Sequence, residues 1–313
     1  MVAFALILSA FFAMNMGGSG MSPAFAAPYG AGVIDRKKAA FLFGLFVLLG
    51  AYIAGGKVVN TISRGIVPQD FISTKVTLVI LLSAAMSLLI SNVLRVAVST
   101  SSVTVFSLIS VGLYFRQIYV STLIRIFCFW LILPVLSYVL AHILGKFILP
   151  LEKKAWITKH ERFLKLFVVA AGCYVAFSIG SNNVANAVGP LVGSGVVGKD
   201  MGFLLIAPFF GIGGLVFRKV LDTVGKEITP LGILAAAING IVIGTLLLLS
   251  SVFGMPEPMV MLDASSVIGI GSADSGHKFI MGHKVVRKIL SMWIISPLIS
   301  SVVTYLLLML VQG

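Results

Sequence analysis

The segment from Gly180 to Ala187 carries the densest group of polar side chains in an otherwise apolar part of the chain. Its sequence is Gly-Ser-Asn-Asn-Val-Ala-Asn-Ala, so Asn182, Asn183 and Asn186 would lie within about one turn of a helix. Amide groups are costly in an apolar environment unless something polar binds them. Because amides donate hydrogen bonds, this group predicts an anion site, with hydrogen bonding to neighbouring helices as the alternative.

We also expect the helix to be interrupted at Gly180. A helix that restarts after a break directs unpaired N–H groups and the positive end of its dipole at the gap, and both favour an anion. Irregular backbone is tolerated in a bilayer only where it is buried in protein or lines a polar cavity. We predict broken helices and re-entrant hairpins in the short stretches rich in Gly, Ser, Asn and Pro, which are residues 17–33, 92–114, 181–198 and 254–273.

Membrane helices are the elements that must position these stretches. The chain of 313 residues is 59% hydrophobic and 11% charged, whereas soluble domains are about 25% charged. A crossing needs roughly 20 mostly apolar residues. The longer apolar segments are residues 2–15, 39–55, 76–91, 118–148, 166–180, 200–217, 231–252 and 289–311. We therefore predict an all-α integral membrane protein that crosses the cell membrane several times and contacts lipid.

Charge and motif content exclude other classes of protein. The formal net charge of +13 is carried by short basic clusters at the ends of apolar segments, such as residues 36–38. Basic flanks are typical of membrane helices, whereas nucleic-acid binding favours a continuous basic surface. Nucleophile–base pairs, metal-ligand clusters and phosphate-binding glycine loops are missing from the sequence. We therefore predict no nucleic-acid partner, no metal, no cofactor and no enzyme activity.

The chain contains an internal duplication. Three glycines recur at one constant offset: Gly17, Gly30 and Gly32 correspond to Gly180, Gly193 and Gly195. Two further pairs follow in the same order, namely residues 60–64 with 222–226 and, more weakly, residues 97–101 with 256–260. The order predicts two pseudo-symmetric halves, 1–150 and 166–313, joined by a basic amphipathic linker at 151–165.

Duplicated halves with interrupted helices at corresponding positions are typical of secondary transporters. In such proteins the substrate binds near the bilayer midplane, between the repeats. We favour repeats of inverted orientation, although the number of crossings in each half leaves this open.

Other polar residues of the short stretches are candidates for the same site. Arg95 could pair with a tetrahedral oxyanion, or it could extend to the membrane surface. Asp263 is an intramembrane acid that could carry a proton, or a loop residue paired with a basic side chain. His277 and His283 are interpreted as surface residues. The candidate hydroxyl donors are Ser99, Thr100 and Ser101 in the first hairpin and Ser265 and Ser266 in the second.

These motifs resemble one known family. The octet at 180–187 resembles the Gly-Ala-Asn-Asp-Val-Ala-Asn-Ala signature of the inorganic phosphate transporter (PiT) family, residues 17–24 align with the same signature, and residues 98–101 are similar to the family's Pro-Val-Ser-Thr-Thr hairpin. The signature aspartate is replaced by Gly20 and Asn183, a pattern most similar to the branch described as bacterial sulfate permeases. The resemblance implies a sulfate importer, with Ser19 and Gly20 of the first half joining the asparagines as donors.

The missing carboxylates also have a physical interpretation. A phosphate group retains a proton near neutral pH, since its second pKa is about 6, and a carboxylate can accept that proton's hydrogen bond. Sulfate offers only acceptors, so a buried carboxylate would repel it. Gly20 and Asn183 therefore favour sulfate. Because the family aspartates would help to hold sodium, we favour a proton as the coupling ion.

Several alternatives stay open at this point. Thiosulfate or another oxyanion could be the substrate, and the chain could form a homodimer. A phosphate symporter and a passive oxyanion channel are the competing functions.

Overall fold

The computed structural model describes residues 1–93, 99–152, 161–217, 232–276 and 284–312. Several sequence predictions lie outside these ranges. They concern Arg95, most of the linker at 151–165, the repeat segment at 222–226, His277 and His283.

Helices form nearly all of the described chain. They are α1 (Val2–Gly30), α2 (Arg36–Ala54), α3 (Gly56–Asn60), α4 (Thr74–Val93), α5 (Thr100–Phe115), α6 (Val120–Glu152), α7 (Glu161–Gly193), α8 (Lys199–Ile206), α9 (Pro208–Val216), α10 (Ile233–Val252), α11 (Met259–Ser275) and α12 (Lys284–Gln312). A π-helical turn, Thr61–Gly65, follows α3, and a 3-10 turn, Gln69–Phe71, precedes α4. Since the described ranges contain helices and no strand, the all-α prediction is confirmed.

Six of the described spans are long and apolar enough to cross a membrane: Val2–Gly30, Arg36–Ala54, Val120–Pro150, Arg162–Gly193, Lys199–Val216 and Leu234–Val252. Large apolar side chains cover the outer surface, for example Phe41 at 70% and Leu131 at 73% exposure. Such a surface is unusual in a soluble monomer and fits a lipid environment. The prediction of a multi-pass membrane protein is confirmed.

Each half of the chain supports the hairpin of the other half. The first hairpin, α4 and α5, packs against α12, and the second hairpin, α10 and α11, packs against α6. Hydrogen bonds join each hairpin to its supporting helix. The hydroxyls of Ser107 in α5 and Ser300 in α12 lie 2.8 Å apart, and the Ser137 hydroxyl of α6 donates to the Leu262 carbonyl of α11 at 2.8 Å. Because hydrophobic driving forces are weak between helices in lipid, such hydrogen bonds help to hold the helices together.

The duplication is visible in the turns that end α1 and α7. Gly32 and Gly195 have φ values of 67° and 69°, a left-handed conformation that favours glycine. The following residue in each turn, Val33 or Val196, donates its N–H to the carbonyl five residues earlier, that of Pro28 or Leu191. Equivalent positions of the two halves thus form the same local structure. The inverted orientation of the halves stays a prediction.

The expected breaks at Gly17 and Gly180 are not found. Both α1 and α7 continue through these glycines without interruption. A Cβ at Gly17 would overlap the carbonyl oxygen of Phe210, and a Cβ at Gly180 would overlap that of Val47. The glycines therefore allow two helix backbones to approach closely, as small residues do in membrane proteins. As a result, the N–H groups of residues 181–183 belong to a continuous helix and do not face a gap.

Candidate functional site

Two asparagines of α7 contact the tips of both hairpins. Asn186 donates a hydrogen bond from Nδ2 to the Ser101 hydroxyl oxygen at 3.0 Å, in the first turn of α5. Asn183 Nδ2 lies 4.0 Å from the sulfur of Met259, the first residue of α11. Both asparagines are buried, and their spacing places them on one helix face. The two hairpin helices therefore begin against the same turn of α7.

The tip of the first hairpin is rich in buried hydroxyl groups. Ser99 caps α5, because its side chain accepts the N–H of Ser102 at 3.2 Å. Thr100 and Ser101 follow in the first turn and are buried. Since the first N–H groups of a helix have no acceptor within it, this end carries free donors and the positive end of the helix dipole. Ser101 accepts its bond from Asn186, so its own proton can be donated to a ligand.

The second hairpin has its tip at residues 253–258, between α10 and α11. Three elements hold this tip and the end of α10 just before it. The Asn182 side chain of α7 accepts the Glu257 N–H at 2.8 Å, the Trp130 indole of α6 donates to the Pro256 carbonyl at 2.7 Å, and the Lys57 ammonium donates to the Val252 carbonyl at 3.0 Å. The start of α11 is thereby fixed next to Asn183.

The structure assigns Asn182 a different role from the predicted one. Its Nδ2 atom lies 3.0 Å from each of three acceptors, the Ser250 and Ser251 hydroxyls and the Met255 carbonyl. With its oxygen bonded to the Glu257 N–H as well, the amide is fully used within the protein. Asn182 therefore positions the second hairpin and has no donor left for an anion.

Ser19 also differs from the expectation. Its side chain is exposed, and its hydroxyl donates to the Met16 carbonyl at 3.1 Å within α1. Gly20 is buried, and a Cβ there would lie 3.5 Å from the Phe43 ring and 3.9 Å from Ile179. Ser22, which the sequence interpretation passed over, has a buried hydroxyl without a hydrogen-bond partner. The contribution of α1 is thus a close-packed apolar surface with one free hydroxyl.

The candidates within α11 lie beyond its first turn. Ser265 and Ser266 are buried, and the Ser266 hydroxyl has no hydrogen-bond partner. Asp263 is half-buried and accepts a hydrogen bond from the Asn239 amide of α10 at 3.0 Å. Asp263 is therefore bonded to the other arm of its own hairpin. Among the described residues, the structure gives no direct bond from these three to the asparagines of α7.

Several buried polar atoms near the hairpin tips have no partner. They are the side-chain oxygens of Asn183 and Asn186, the Thr104 hydroxyl of α5 and both carboxyl oxygens of Glu257. Most buried polar groups in proteins are hydrogen-bonded, so each such atom requires an explanation. The amide and carboxyl oxygens need a hydrogen-bond donor, a proton or a cation, whereas the Thr104 hydroxyl can donate to an anion. In the sequence, Glu257 stands out as an acid between Pro256 and Pro258, shortly after the apolar segment 231–252.

Neutral groups dominate this region. In the described ranges, no three His, Cys, Asp or Glu side chains are arranged to hold a metal ion. The ion pairs found there join Lys38 to Asp35 and Lys199 to Asp200, which are exposed residues near the starts of α2 and α8. Among the described residues, the groups available to bind an anion between the tips are helix ends, hydroxyls and amides.

Comparison with known proteins identifies the family. The sequence profile of the phosphate transporter family matches this chain twice, over residues 16–157 and 151–304. The sulfate permease CysP of Bacillus subtilis is 39% identical over 312 residues, which cover 98% of this chain and 87% of the relative. A putative phosphate permease of Methanocaldococcus jannaschii is 22% identical over 304 residues, covering 96% and 95%.

The fold is also found among solved structures. A sodium-dependent phosphate transporter superimposes with a TM-score of 0.84 over 99% of this chain and 98% of the other, at 21% identity. The two profile matches confirm the duplication, and together with the relatives they confirm the resemblance carried by the motifs at 17–24 and 180–187. This chain belongs to the phosphate transporter family.

Proposed function

We propose that the protein is a secondary transporter that imports inorganic sulfate across the cell membrane. The observation that carries the proposal is the meeting of Asn183 and Asn186 with the starts of α5 and α11. In this arrangement two helix N-termini, the Ser101 hydroxyl and two amides lie around one region. Positions 20 and 183, where the family has aspartate, are glycine and asparagine in this chain. Such a site offers donors to a ligand that only accepts hydrogen bonds.

The binding residues in this proposal are Asn183, Asn186, Ser99, Thr100 and Ser101. Ser265 and Ser266 would extend the site along α11, and Gly20 stays a candidate on α1. Each amide nitrogen carries two protons, and Asn186 donates one of them to Ser101, so both asparagines keep an N–H for a ligand. Arg95 remains a candidate for pairing with the anion. Ser19 and Asn182, whose hydroxyl and amide groups are bonded within the protein, make no direct contact with the anion in this arrangement.

Sulfate is favoured over phosphate by the same chemistry. A carboxylate at position 183 would accept the proton of hydrogen phosphate, but it would repel sulfate. The sulfate permease named above is similar along nearly the whole chain, which supports the same substrate here. Thiosulfate and other tetrahedral oxyanions that carry no proton near neutral pH share the acceptor-only chemistry and are expected to compete.

Transport would proceed by alternating access between the two halves. Because each hairpin packs against a helix of the other half, a relative movement of the halves would move both tips and open the site to one side at a time. The coupling ion is a cation, and we favour a proton over sodium because the family aspartates are replaced. No covalent chemistry is involved. The protein would act in contact with lipid, as a monomer or a homodimer.

Labelled sulfate uptake into liposomes that contain the purified protein tests this function. A proton or sodium gradient is imposed, and excess unlabelled phosphate serves as competitor. Gradient-driven sulfate accumulation that phosphate does not block is the expected result. Accumulation that phosphate abolishes would favour a phosphate symporter, which two of the relatives named above suggest. Equilibration without accumulation would favour a passive channel.

A further inference from the structure

Glu257 is an isolated acid at the tip of the second hairpin. Its side chain is fully buried, and neither carboxyl oxygen has a hydrogen-bond partner. An ionised carboxylate is strongly destabilised in such a place unless a proton or a cation neutralises it.

Among the described residues, the charged groups on the elements around this tip do not neutralise Glu257. The tip region contacts α3, α6 and α7 through Lys57, Trp130 and Asn182. Charged side chains on these helices, the adjoining π-helical turn and α11 include Lys57, Arg64, Arg125 and Asp263. Lys57 donates to the Val252 carbonyl, and Arg125 lies 3.4 Å from the Thr122 hydroxyl. Arg64 is exposed, and Asp263 is bonded to Asn239.

More distant groups have other partners as well. His142, further along α6, lies 3.3 Å from the Gly269 carbonyl. None of the ion pairs between described residues includes Glu257, so within this part of the chain its carboxyl group has no counter-charge, and a proton or cation from solution would supply one.

The position of Glu257 connects it to the anion site. Its N–H is bonded to Asn182, which precedes Asn183 in α7, and it lies two residues before Met259, which contacts Asn183. An anion at Asn183 and the start of α11 would therefore lie close to this carboxyl group. An ionised Glu257 would repel the anion, whereas the protonated group would not.

We infer that Glu257 is the residue that binds the coupling proton during anion uptake. The inference rests on the proposed function, since it requires an anion between the hairpin tips. Binding of the anion favours protonation of Glu257, and protonation favours binding of the anion, because coupling between two sites is reciprocal. A proton gradient can then drive the anion inward. The sequence-based candidate, Asp263, already has a hydrogen-bond partner and is the competing assignment.

The substitution Glu257→Gln separates coupling from binding, because an amide resembles the protonated acid and cannot ionise. Full-length wild type and variants are reconstituted in liposomes of phosphatidylethanolamine and phosphatidylglycerol. Exchange of labelled sulfate is measured at equal pH on both sides, and accumulation is measured with acid outside and the membrane potential clamped. Asp70→Asn is the matched control, since Asp70 is an exposed acid in the turn before α4.

Glu257→Gln is expected to keep sulfate exchange and lose acid-driven accumulation, while Asp70→Asn keeps both. The inference would be overturned if Glu257→Gln accumulated sulfate as the wild type does. It would also be overturned if Asp263→Asn were the only variant to lose accumulation. Loss of exchange together with accumulation in a folded Glu257→Gln protein would also overturn it, because Glu257 would then belong to the anion site or the fold.

A second variant decides the case if Glu257→Gln does not fold. Glu257→Asp retains an ionisable group and is expected to keep acid-driven accumulation with a shifted pH dependence; an unshifted pH dependence would contradict the inference.

The substrate is tested separately in the same vesicles. If the wild type exchanges phosphate and not sulfate, the proposed substrate is wrong, and the role of Glu257 is then decided by acid-driven phosphate accumulation.

Discussion

Asn186 of α7 donates a hydrogen bond to Ser101, which lies 85 positions earlier in the sequence and at the start of α5. The bond joins the two halves of the chain at the tip of the first hairpin. It also orients the Ser101 hydroxyl, because an oxygen that accepts from Asn186 directs its own proton elsewhere. We interpret the Ser101 hydroxyl as a hydrogen-bond donor to the anion, and Asn186 holds this hydroxyl in place.

Replacing Ser101 with alanine should therefore weaken sulfate binding. Loss of a hydrogen bond to a charged ligand costs about 1.5–3 kcal/mol, and each 1.4 kcal/mol is about tenfold in the dissociation constant. We expect an increase of at least about tenfold in the sulfate dissociation constant of Ser101→Ala, measured by calorimetric titration of the purified protein.

Ser107→Ala is a suitable control for this experiment. Ser107 lies further along α5, is buried and bonds to Ser300 of α12. Its removal should lower the melting temperature and leave the sulfate dissociation constant unchanged. Equal dissociation constants for the two variants would contradict the role of Ser101.

Asn182 should affect stability more than substrate affinity. In Asn182→Ala, the buried N–H of Glu257 and the Met255 carbonyl lose their partner. Each unsatisfied buried group costs about 1–3 kcal/mol. Scanning calorimetry should show a lower melting temperature than in Asn60→Ala, which alters an exposed asparagine. A wild-type melting temperature combined with weakened sulfate binding would instead make Asn182 a substrate donor.

Much of the fold could be predicted from the sequence. Apolar segments of membrane-spanning length predicted the helices, and the constant offset of Gly32 and Gly195 predicted the duplication. The structure gives these two glycines φ values of 67° and 69°. Both features follow from local chemistry: apolar length for the helices, and the freedom of glycine at a turn.

The continuity of α1 and α7 could not be predicted in this way. A glycine in a polar stretch fits a helix break and close helix packing equally well. The decision depends on Phe210 and Val47, whose carbonyls approach Gly17 and Gly180 from distant parts of the chain. For the same reason, the sequence identified Asn182 as polar but could not reveal that Ser250, Ser251 and Met255 use its donors.

Substitution of Gly180 tests the packing interpretation. A methyl group at this position would overlap the Val47 carbonyl of α2, and a backbone cannot move aside as a side chain can. Overpacking of this kind costs about 1–3 kcal/mol. Gly180→Ala should therefore lower the melting temperature and the yield of folded protein.

Gly198→Ala provides the comparison for Gly180→Ala. Gly198 precedes α8, has φ −71° and ψ 154°, and has nothing within 4 Å of an added Cβ. Alanine adopts this conformation without strain and should be neutral or slightly stabilising. Melting temperatures that fall equally in both variants would exclude close packing as the role of Gly180.

Asn183→Asp is the variant that tests substrate selection. It restores the family's acid beside Met259 at the start of α11. The new carboxylate would repel sulfate and could accept the proton of hydrogen phosphate. We expect weaker sulfate uptake and measurable phosphate uptake in liposomes. Asn60→Asp adds the same charge at an exposed position and should leave both unchanged. If Asn183→Asp transports sulfate with wild-type kinetics and still excludes phosphate, Asn183 does not face the substrate, and the anion must bind away from this turn of α7.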